Sequence, residues 1–313
     1  MSRVNRMSTP IRLRLGTRAS PLARWQAEWV SARLEELEVE VVLVHITTSG
    51  DQQQGPIGAG VSPGLFTKEI QRALVEDRID LAVHSLKDLP TEAVPGLCLA
   101  AVPERAPVGD VLVCDGRASL DELPEQAVVG TGSLRRRAQL LHVRPDLVMK
   151  DIRGNVDTRL RKLAQGDYDA IVLAEAGLRR LGLAEHIRHV LPSSIMLPAV
   201  GQGALGLETR SDDTKAREVL QRLNHPATHA AVLAERTMLA ALEGGCLAPI
   251  AAWGREEDET LKLSGRVLSA DGATRIEATA TGDPADPEPL GRRVAEALIA
   301  QGATALIRAA RNV

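Results

Sequence analysis

Over the first two-thirds of the chain, short apolar runs alternate with segments in which apolar residues recur every three to four positions. IRLRLGTR (11–18) reads as a strand. SPLARWQAEWVSARLEEL (20–37) follows as a helix, with Ser20 at the N-cap and Pro21 at the first helical position. VEVVLVHITT (39–48) is the next strand, LFTKEIQRALVEDR (65–78) a helix and IDLAVHS (79–85) a strand. Between them SGDQQQGPIGAGVSPG (49–64) is too long and too rich in Gly, Gln and Pro for a plain connection, and predicts a lid or binding flap.

From about Pro103 the alternation restarts. DVLVCD, AVVGTGS, DLVMKDIRG and YDAIVLAEAG predict strands; SLRRRAQLLHVR and NVDTRLRKLAQG predict helices between them; SIMLPAVGQGALGLET returns to extended structure. Such a pattern specifies mostly parallel, buried sheets covered by helices. After about Leu223 the pattern changes. PATHAAVLAERTMLAALEGG predicts a long helix with Gly244 as its C-terminal cap. The alternating strands LAPIAAWGR, TLKLSGRVLS and TRIEATATG follow, the last two joined by the hairpin signal SADG, and DPEPLGRRVAEALIAQGA closes as a helix. This segment is a small α+β domain.

Composition narrows the function classes. The net charge of -3 gives no bulk electrostatic sign of a nucleic-acid binder, and aromatics at 2% leave few platforms for base stacking. Three cysteines, Cys98, Cys114 and Cys246, form neither a disulfide framework nor a zinc spacing, so no metal is expected. No apolar run reaches membrane-spanning length, and a reducing cytoplasm is the simplest home. Only six of the 38 basic residues are lysine, so a lone arginine carries little weight here.

Position gives some arginines more weight. In open parallel sheets, ligands bind where strands end and helices begin. Four such junctions carry polar residues: GTRAS (Arg18, Ser20), HSLKDLP (His84, Ser85, Lys87, Asp88), GTGSLRRR (Thr131, Ser133, Arg135, Arg136) and IRGNVDTRLR (Arg153, Asn155, Arg159). Three arginines in the first turn of a helix oppose the positive end of its dipole, and a bound anion would offset that. A solvated, arginine-biased face accounts for any one junction; four similar junctions weaken that account. Neither a P-loop spacing nor a Rossmann glycine pattern is present, so carboxylates are as natural an anion as phosphates. Asp88 stands at the mouth of such a cleft, where a carboxylate can protonate a leaving group or cap a turn. His84 reads as a strand-end hydrogen bonder.

Cys98 and Cys114 lie in apolar runs and read as core residues. Cys246, in GGCLAPI, follows a helix C-terminus, whose dipole raises a thiol pKa. That position suits a thiol used once as an attachment point better than a cycling nucleophile, and a plain buried cysteine remains open.

Eight segments in order, LRLGTRASPLARWQA, GLFTKEI, DLAVHSLKDLP, GTGSLRRRAQL, IRGNVDTRL, LAEAGLRRLGL, LPAVGQGALGLE and GGCLAPIAAW, resemble the porphobilinogen deaminase (hydroxymethylbilane synthase) family across residues 11–313. The resemblance implies an α/β chain with two type II periplasmic-binding-protein-like domains around a cleft, plus the small C-terminal α+β domain. The implied limits are 10–103 with 198–221, 104–197, and 222–313. It implies a covalent dipyrromethane on Cys246 through a thioether, and Asp88 as the catalytic acid/base. Lys87, Thr131, Ser133, Arg135 and Arg136 would hold the cofactor. Arg18, Ser20, Arg153, Arg159 and Arg180 would meet incoming porphobilinogen, and Gln202 lies at the hinge.

The implied reaction expels ammonia from porphobilinogen and adds four units head to tail. Hydrolysis then releases 1-hydroxymethylbilane. A cytoplasmic monomer without nucleic-acid or membrane partners is expected. A six-pyrrole chain carries twelve carboxylates, which accounts for the arginines. One departure is Pro63, in SPGLF, where the family often has lysine; weaker substrate affinity is expected from it. The competing account is a non-catalytic two-domain anion-binding module.

Overall fold

A computed structural model describes residues 11–48, 67–114, 116, 119–243 and 248–311. The flap with Pro63, and Gly244 and Cys246 of the thiol loop, lie outside the described residues.

The first sheet is built from β1 (Ile11–Thr17), β2 (Val39–His45), β3 (Leu81–Ser85), β4 (Leu97–Ala101) and β10 (Leu205–Arg210), in the order β2-β1-β3-β10-β4. β1 runs parallel to β2 and β3, and β10 lies antiparallel between β3 and β4. The second sheet contains β5 (Asp110–Cys114), β6 (Val128–Gly130), β7 (Val148–Lys150), β8 (Ala170–Ala174) and β9 (His189–Leu191), in the order β7-β6-β8-β5-β9. There β6 is parallel to β7 and β8, and β5 is antiparallel to β8 and β9. The two sheets thus share one pattern: three parallel strands, then a returning strand inserted antiparallel beside the third. This is the type II periplasmic-binding-protein arrangement. Alternation alone predicts the parallel part; the antiparallel insertions arise because the chain crosses between the sheets.

The helices cover these sheets for the reasons their sequences suggest. In α1 (Pro21–Glu35), Ser20 caps the N-terminus by accepting from the Ala23 N–H, and Ala27, Val30 and Leu34 are fully buried. Further helices are α2 (Lys68–Val75), α3 (Leu134–Val143), α4 (Val156–Ala164), α5 (Glu175–Arg180) and α6 (Thr214–Gln221). Ser133 and Asn155 cap α3 and α4 by accepting from Arg136 and Thr158 N–H groups. Strand β8 stops at Ala174, and the following Glu-Ala-Gly opens α5 instead of extending the strand.

The C-terminal unit stacks α7 (Pro226–Ala241), α8 (Pro287–Ala300) and α9 (Ala303–Ala310) on an antiparallel sheet of β11 (Ile250–Glu257), β12 (Thr260–Leu268) and β13 (Arg275–Gly282). Its core is aliphatic, with Ala234, Met238, Leu263, Val267, Val294 and Leu298 among the buried residues. Gly291 lets α8 approach α7: a Cβ there would lie 2.5 Å from the Ala234 carbonyl oxygen. Helix α7 ends one residue earlier than the Gly244 cap predicts, because Glu243 adopts the left-handed conformation (φ 51). Cys114 is buried as expected; Cys98, on the edge strand β4, is only half-buried.

The C-terminal unit is fastened to the second sheet. Buried Arg266 donates to Gln139 Oε1 on α3 at 2.6 Å and to the carbonyls of Ser193 and Ser194. His142 bonds the carbonyl of Gly272 at 2.8 Å through Nδ1.

Candidate active site

Strand β3 delivers the first half of the site. It ends at Ser85, and a single 3-10 turn over Leu86–Asp88 follows. Buried Leu86 anchors the turn, and its N–H donates to the Ala204 carbonyl at 3.0 Å. Gln26 of α1 donates to Ser85 Oγ at 2.8 Å. Buried His84 pairs through Nε2 with Glu208 of β10 at 3.1 Å, and Gln71 donates to the other oxygen of Glu208 at 3.0 Å. His84 is therefore a strand-end hydrogen bonder. Above it, Arg18, Ser20, Gln26, Thr67, Ser85 and Asp88 line one pocket, with Asp88 exposed at its rim.

The second half comes from the start of α3. Buried Arg135 and Arg136 do not point at solvent; both grip Asp110, the first residue of β5. Arg135 Nη1 donates to Asp110 Oδ2 at 2.8 Å, and Arg136 Nη2 lies 2.7 Å from Oδ1. Gln202 Nε2 donates to the same Oδ1 at 3.0 Å and to the Val108 carbonyl at 2.8 Å. Burial works to raise the Asp110 carboxyl, yet the two guanidiniums hold it well below the ordinary carboxylate range. The protein thus carries its own anion at the helix start, so part of the offset expected from a bound anion comes from Asp110.

That offset is incomplete. Two guanidiniums face one carboxylate, and Lys87 adds a third cation whose charge acts on the same group. Lys87 is half-buried, and desolvation pushes its ammonium down to about 8, with Asp88 and Asp110 opposing the drop and Arg136 and Arg135 deepening it. The Arg135 Nε and Gln202 Oε1 atoms are buried without a hydrogen-bond partner. Arg159 of α4 donates to the Gly154 carbonyl at 2.8 Å; burial lowers its pKa to about 10, with Arg136 and Arg153 adding to the drop and Asp88 opposing it. Arg180 at the end of α5 donates to the Gly203 carbonyl at 2.6 Å and stacks over Trp25 of α1, and burial lowers it to about 10 as well.

Most of the residues singled out in the sequence therefore surround one cleft between the two sheets. Arg18, Ser20 and Asp88 line the pocket of the first sheet. Asp88 feels Arg159 and Lys87 electrostatically, and Lys87 feels Arg135 and Arg136. Thr131 and Ser133 serve local structure: Thr131 Oγ1 accepts from the Ser133 N–H, and Ser133 is the cap of α3. Cys246 lies outside the described residues, three positions beyond Glu243.

Three participants escaped sequence reading. Asp110 is one aspartate among many, and only its place at the head of an apolar strand distinguishes it. Gln26 sits in an ordinary amphipathic helix. Arg236 of α7 donates to the Leu89 and Pro90 carbonyls at 2.9 and 2.7 Å, and nothing in its local sequence signals that contact.

The arrangement suits a polycarboxylate. Cations exceed anions, one buried donor, the Arg135 Nε, remains unmet, and an exposed carboxylic side chain stands at the rim. Among the described residues there is no cluster of metal-ligating side chains, and no helix is long and apolar enough to cross a membrane.

Comparison with known proteins agrees with this chemistry. Residues 13–218 match the family model described as porphobilinogen deaminase, dipyrromethane cofactor binding domain, and residues 229–300 match its C-terminal domain. Relatives named porphobilinogen deaminase include one from Geotalea daltonii, 48% identical over 94% of this chain and 93% of its own. Another, from Acidithiobacillus ferrooxidans, is 49% identical over 97% of this chain and 99% of its own. Among solved structures, a nutrient binding protein from Burkholderia cenocepacia bound to methionine overlaps 72% of this chain and 94% of its own, at 14% identity and a TM-score of 0.43.

Proposed function

The chain belongs to the porphobilinogen deaminase family, and from that premise we propose how its residues divide the work of hydroxymethylbilane synthesis. The enzyme is a transferase of tetrapyrrole biosynthesis that uses a dipyrromethane. It deaminates porphobilinogen and joins four units before releasing 1-hydroxymethylbilane. The observation that carries the residue assignment is the cationic surplus around Asp110, facing Asp88 across one cleft.

Bound dipyrromethane supplies the carbon to which the first new pyrrole is joined. Lys87, Arg135 and Arg136 meet its acetates and propionates, with Thr131 and Ser133 shaping the turn that presents them. Charge-assisted hydrogen bonds of this kind contribute roughly 1.5–3 kcal/mol each. The unpartnered Arg135 Nε is a donor in want of an acceptor, which suits such a ligand. Arg18, Ser20, Arg153, Arg159 and Arg180 receive the incoming substrate's carboxylates, and Gln202 ties the hinge to Asp110. Asp88 gives its proton to the departing amine and, once ionised, steadies the positive charge left on the pyrrole. Help of this type is worth ~10²–10⁴ in rate.

Cys246 is the attachment thiol. Its place in the sequence just after a helix C-terminus, whose dipole raises a thiol pKa, fits a sulfur alkylated once and then left alone. Residues 10–103 with 198–221, 104–197 and 222–313 act as the three domains. The enzyme works as a monomer in the cytoplasm, without nucleic-acid or membrane partners; the sparse, odd cysteine set supports a reducing compartment and the net charge of -3 the absence of a nucleic-acid partner. An anion-binding module without catalysis needs only the first two units, whereas the family match extends through the C-terminal one.

The intact mass of the purified protein tests the anchor. An excess equal to two porphobilinogens less two ammonias, absent in Cys246→Ser, is the expected result. A bare mass that does not rise on incubation with porphobilinogen would remove Cys246 from its role.

A further inference from the structure

Helix α7 belongs to the C-terminal unit, yet two consecutive residues on it hold the turn that carries Asp88 from both sides. Glu235 is fully buried and accepts four hydrogen bonds: 2.6 and 3.1 Å from Arg105, 2.7 Å from the Gly201 N–H and 2.7 Å from the Gly254 N–H. Gly201 lies directly under the turn. Its φ is +70, and a Cβ there would sit 3.2 Å from the carbonyl carbon of Leu86 and 3.2 Å from the backbone nitrogen of Lys87. Glu235 therefore fixes the floor beneath Leu86 and Lys87. Arg236 reaches the other flank, donating Nη1 to the Leu89 carbonyl at 2.9 Å and Nη2 to the Pro90 carbonyl at 2.7 Å.

Stability alone is a poor reason for Arg236. Burial lowers its pKa, the cost of desolvating a guanidinium. What that charge obtains in return is a two-pronged grip on the backbone immediately after Asp88.

We infer that Arg236 is a positioning residue for Asp88, so that the C-terminal unit sets the acid–base turn as well as bearing the thiol loop. The inference rests on Asp88 being the acid/base. Arg236 lies in α7 (Pro226–Ala241), and Cys246 follows the last residue of that helix by five positions in the sequence. Misplacing a reacting group by ~1 Å can cost on the order of 10²-fold in rate, so a loosened turn reads out in turnover.

The test compares holoenzyme carrying Arg236→Met, Arg236→Lys and, separately, Asp88→Asn, each weighed for its bound dipyrromethane before kinetics. Arg236→Met is expected to keep its mass excess, lose roughly tenfold or more in kcat and hold KM within about twofold, the pattern of an interaction that matters in the transition state. Arg236→Lys, whose Nζ can donate to both carbonyls, is expected to recover most of the loss. Full kcat in Arg236→Met beside an inactive Asp88→Asn would overturn this inference alone. Full turnover in Asp88→Asn would overturn it together with the Asp88 assignment. A loss in Arg236→Met that follows the melting temperature and is not recovered by lysine would make the residue structural only, and also overturn it.

Discussion

Two buried arginine–carboxylate clusters flank the Gly201–Gln202 segment, and they are built to different balances. At Glu235 one carboxylate faces one guanidinium, Arg105, and two backbone N–H groups complete the set. At Asp110 one carboxylate faces two guanidiniums and the nearby Lys87, and the Arg135 Nε finds no partner. The first cluster is closed: charge and hydrogen bonds are both matched inside the protein. The second is open, with positive charge to spare at the mouth of a cleft. The same residue types thus give a matched cluster in one place and a cationic surplus in the other, and the stoichiometry of charges decides which.

The largest effects are expected from removing each carboxylate. Glu235→Ala and Asp110→Asn each leave buried guanidinium without its counter-charge, a change worth about 3–5 kcal/mol. The two differ in rescue. Dipyrromethane carboxylates can replace part of the lost charge at position 110, so Asp110→Asn is expected to be less destabilised in holoenzyme than in cofactor-free protein, by ~1–3 kcal/mol. Glu235→Ala should lose equally in both forms. Denaturant titration of the four samples measures this, and equal losses for Asp110→Asn would erase the distinction between closed and open clusters.

Next in size is loss of a cation from the open side. Arg159→Gln is expected to raise KM for porphobilinogen by about ten- to a hundredfold, from one charge-assisted contact of roughly 1.5–3 kcal/mol. Its thermal stability should change little, since Arg159 serves no described carboxylate by hydrogen bond. Steady-state kinetics beside a melting curve separates the two readouts. A KM that stays put would take Arg159 out of the substrate path.

The smallest effect is a pH dependence. Lys87 is charged below about 8 and neutral above it. Its attraction for carboxylates is therefore present at pH 7 and fades as pH rises through 8. Because its folded pKa lies below the ordinary lysine value, protons are released on folding in that range, and the ligand-free fold gains stability as pH rises from 8 toward 10.5. The stability that bound dipyrromethane adds to the fold, measured by denaturant titration of holoenzyme against cofactor-free protein, is expected to shrink by about 1 kcal/mol between pH 7 and 9, and the shrinkage should vanish in Lys87→Arg. A flat profile in the unsubstituted enzyme would place Lys87 away from the bound carboxylates.

Much of the architecture was readable before any fold was known, because its signals are local. Ser20 is a cap by residue type and position, and the cap forms; Ser133 and Asn155, read in the sequence only as polar residues at strand–helix junctions, cap their helices in the same way. Apolar runs such as LAVHS bury on both faces, so they announce strands of a covered sheet. The junctions at Arg18, Asp88 and Arg135 were visible as polar residues at strand ends. Side-chain type plus a local period is enough for all of these.

What sequence periodicity could not supply is every partner that comes from far along the chain. Asp110 and Arg135 are 25 residues apart, His84 and Glu208 are 124, and Arg236 and Leu89 are 147. The insertion of β10 between β3 and β4 creates the second of these contacts and brings Gly201 beneath the Asp88 turn. A residue's type sets what it can donate or accept, and that much belongs to the sequence. Which donor meets which acceptor, and whether charge is left over, depends on how distant parts of the chain pack together. In this protein the leftover charge at Asp110, on which the proposed residue assignment rests, arises only when the chain is folded.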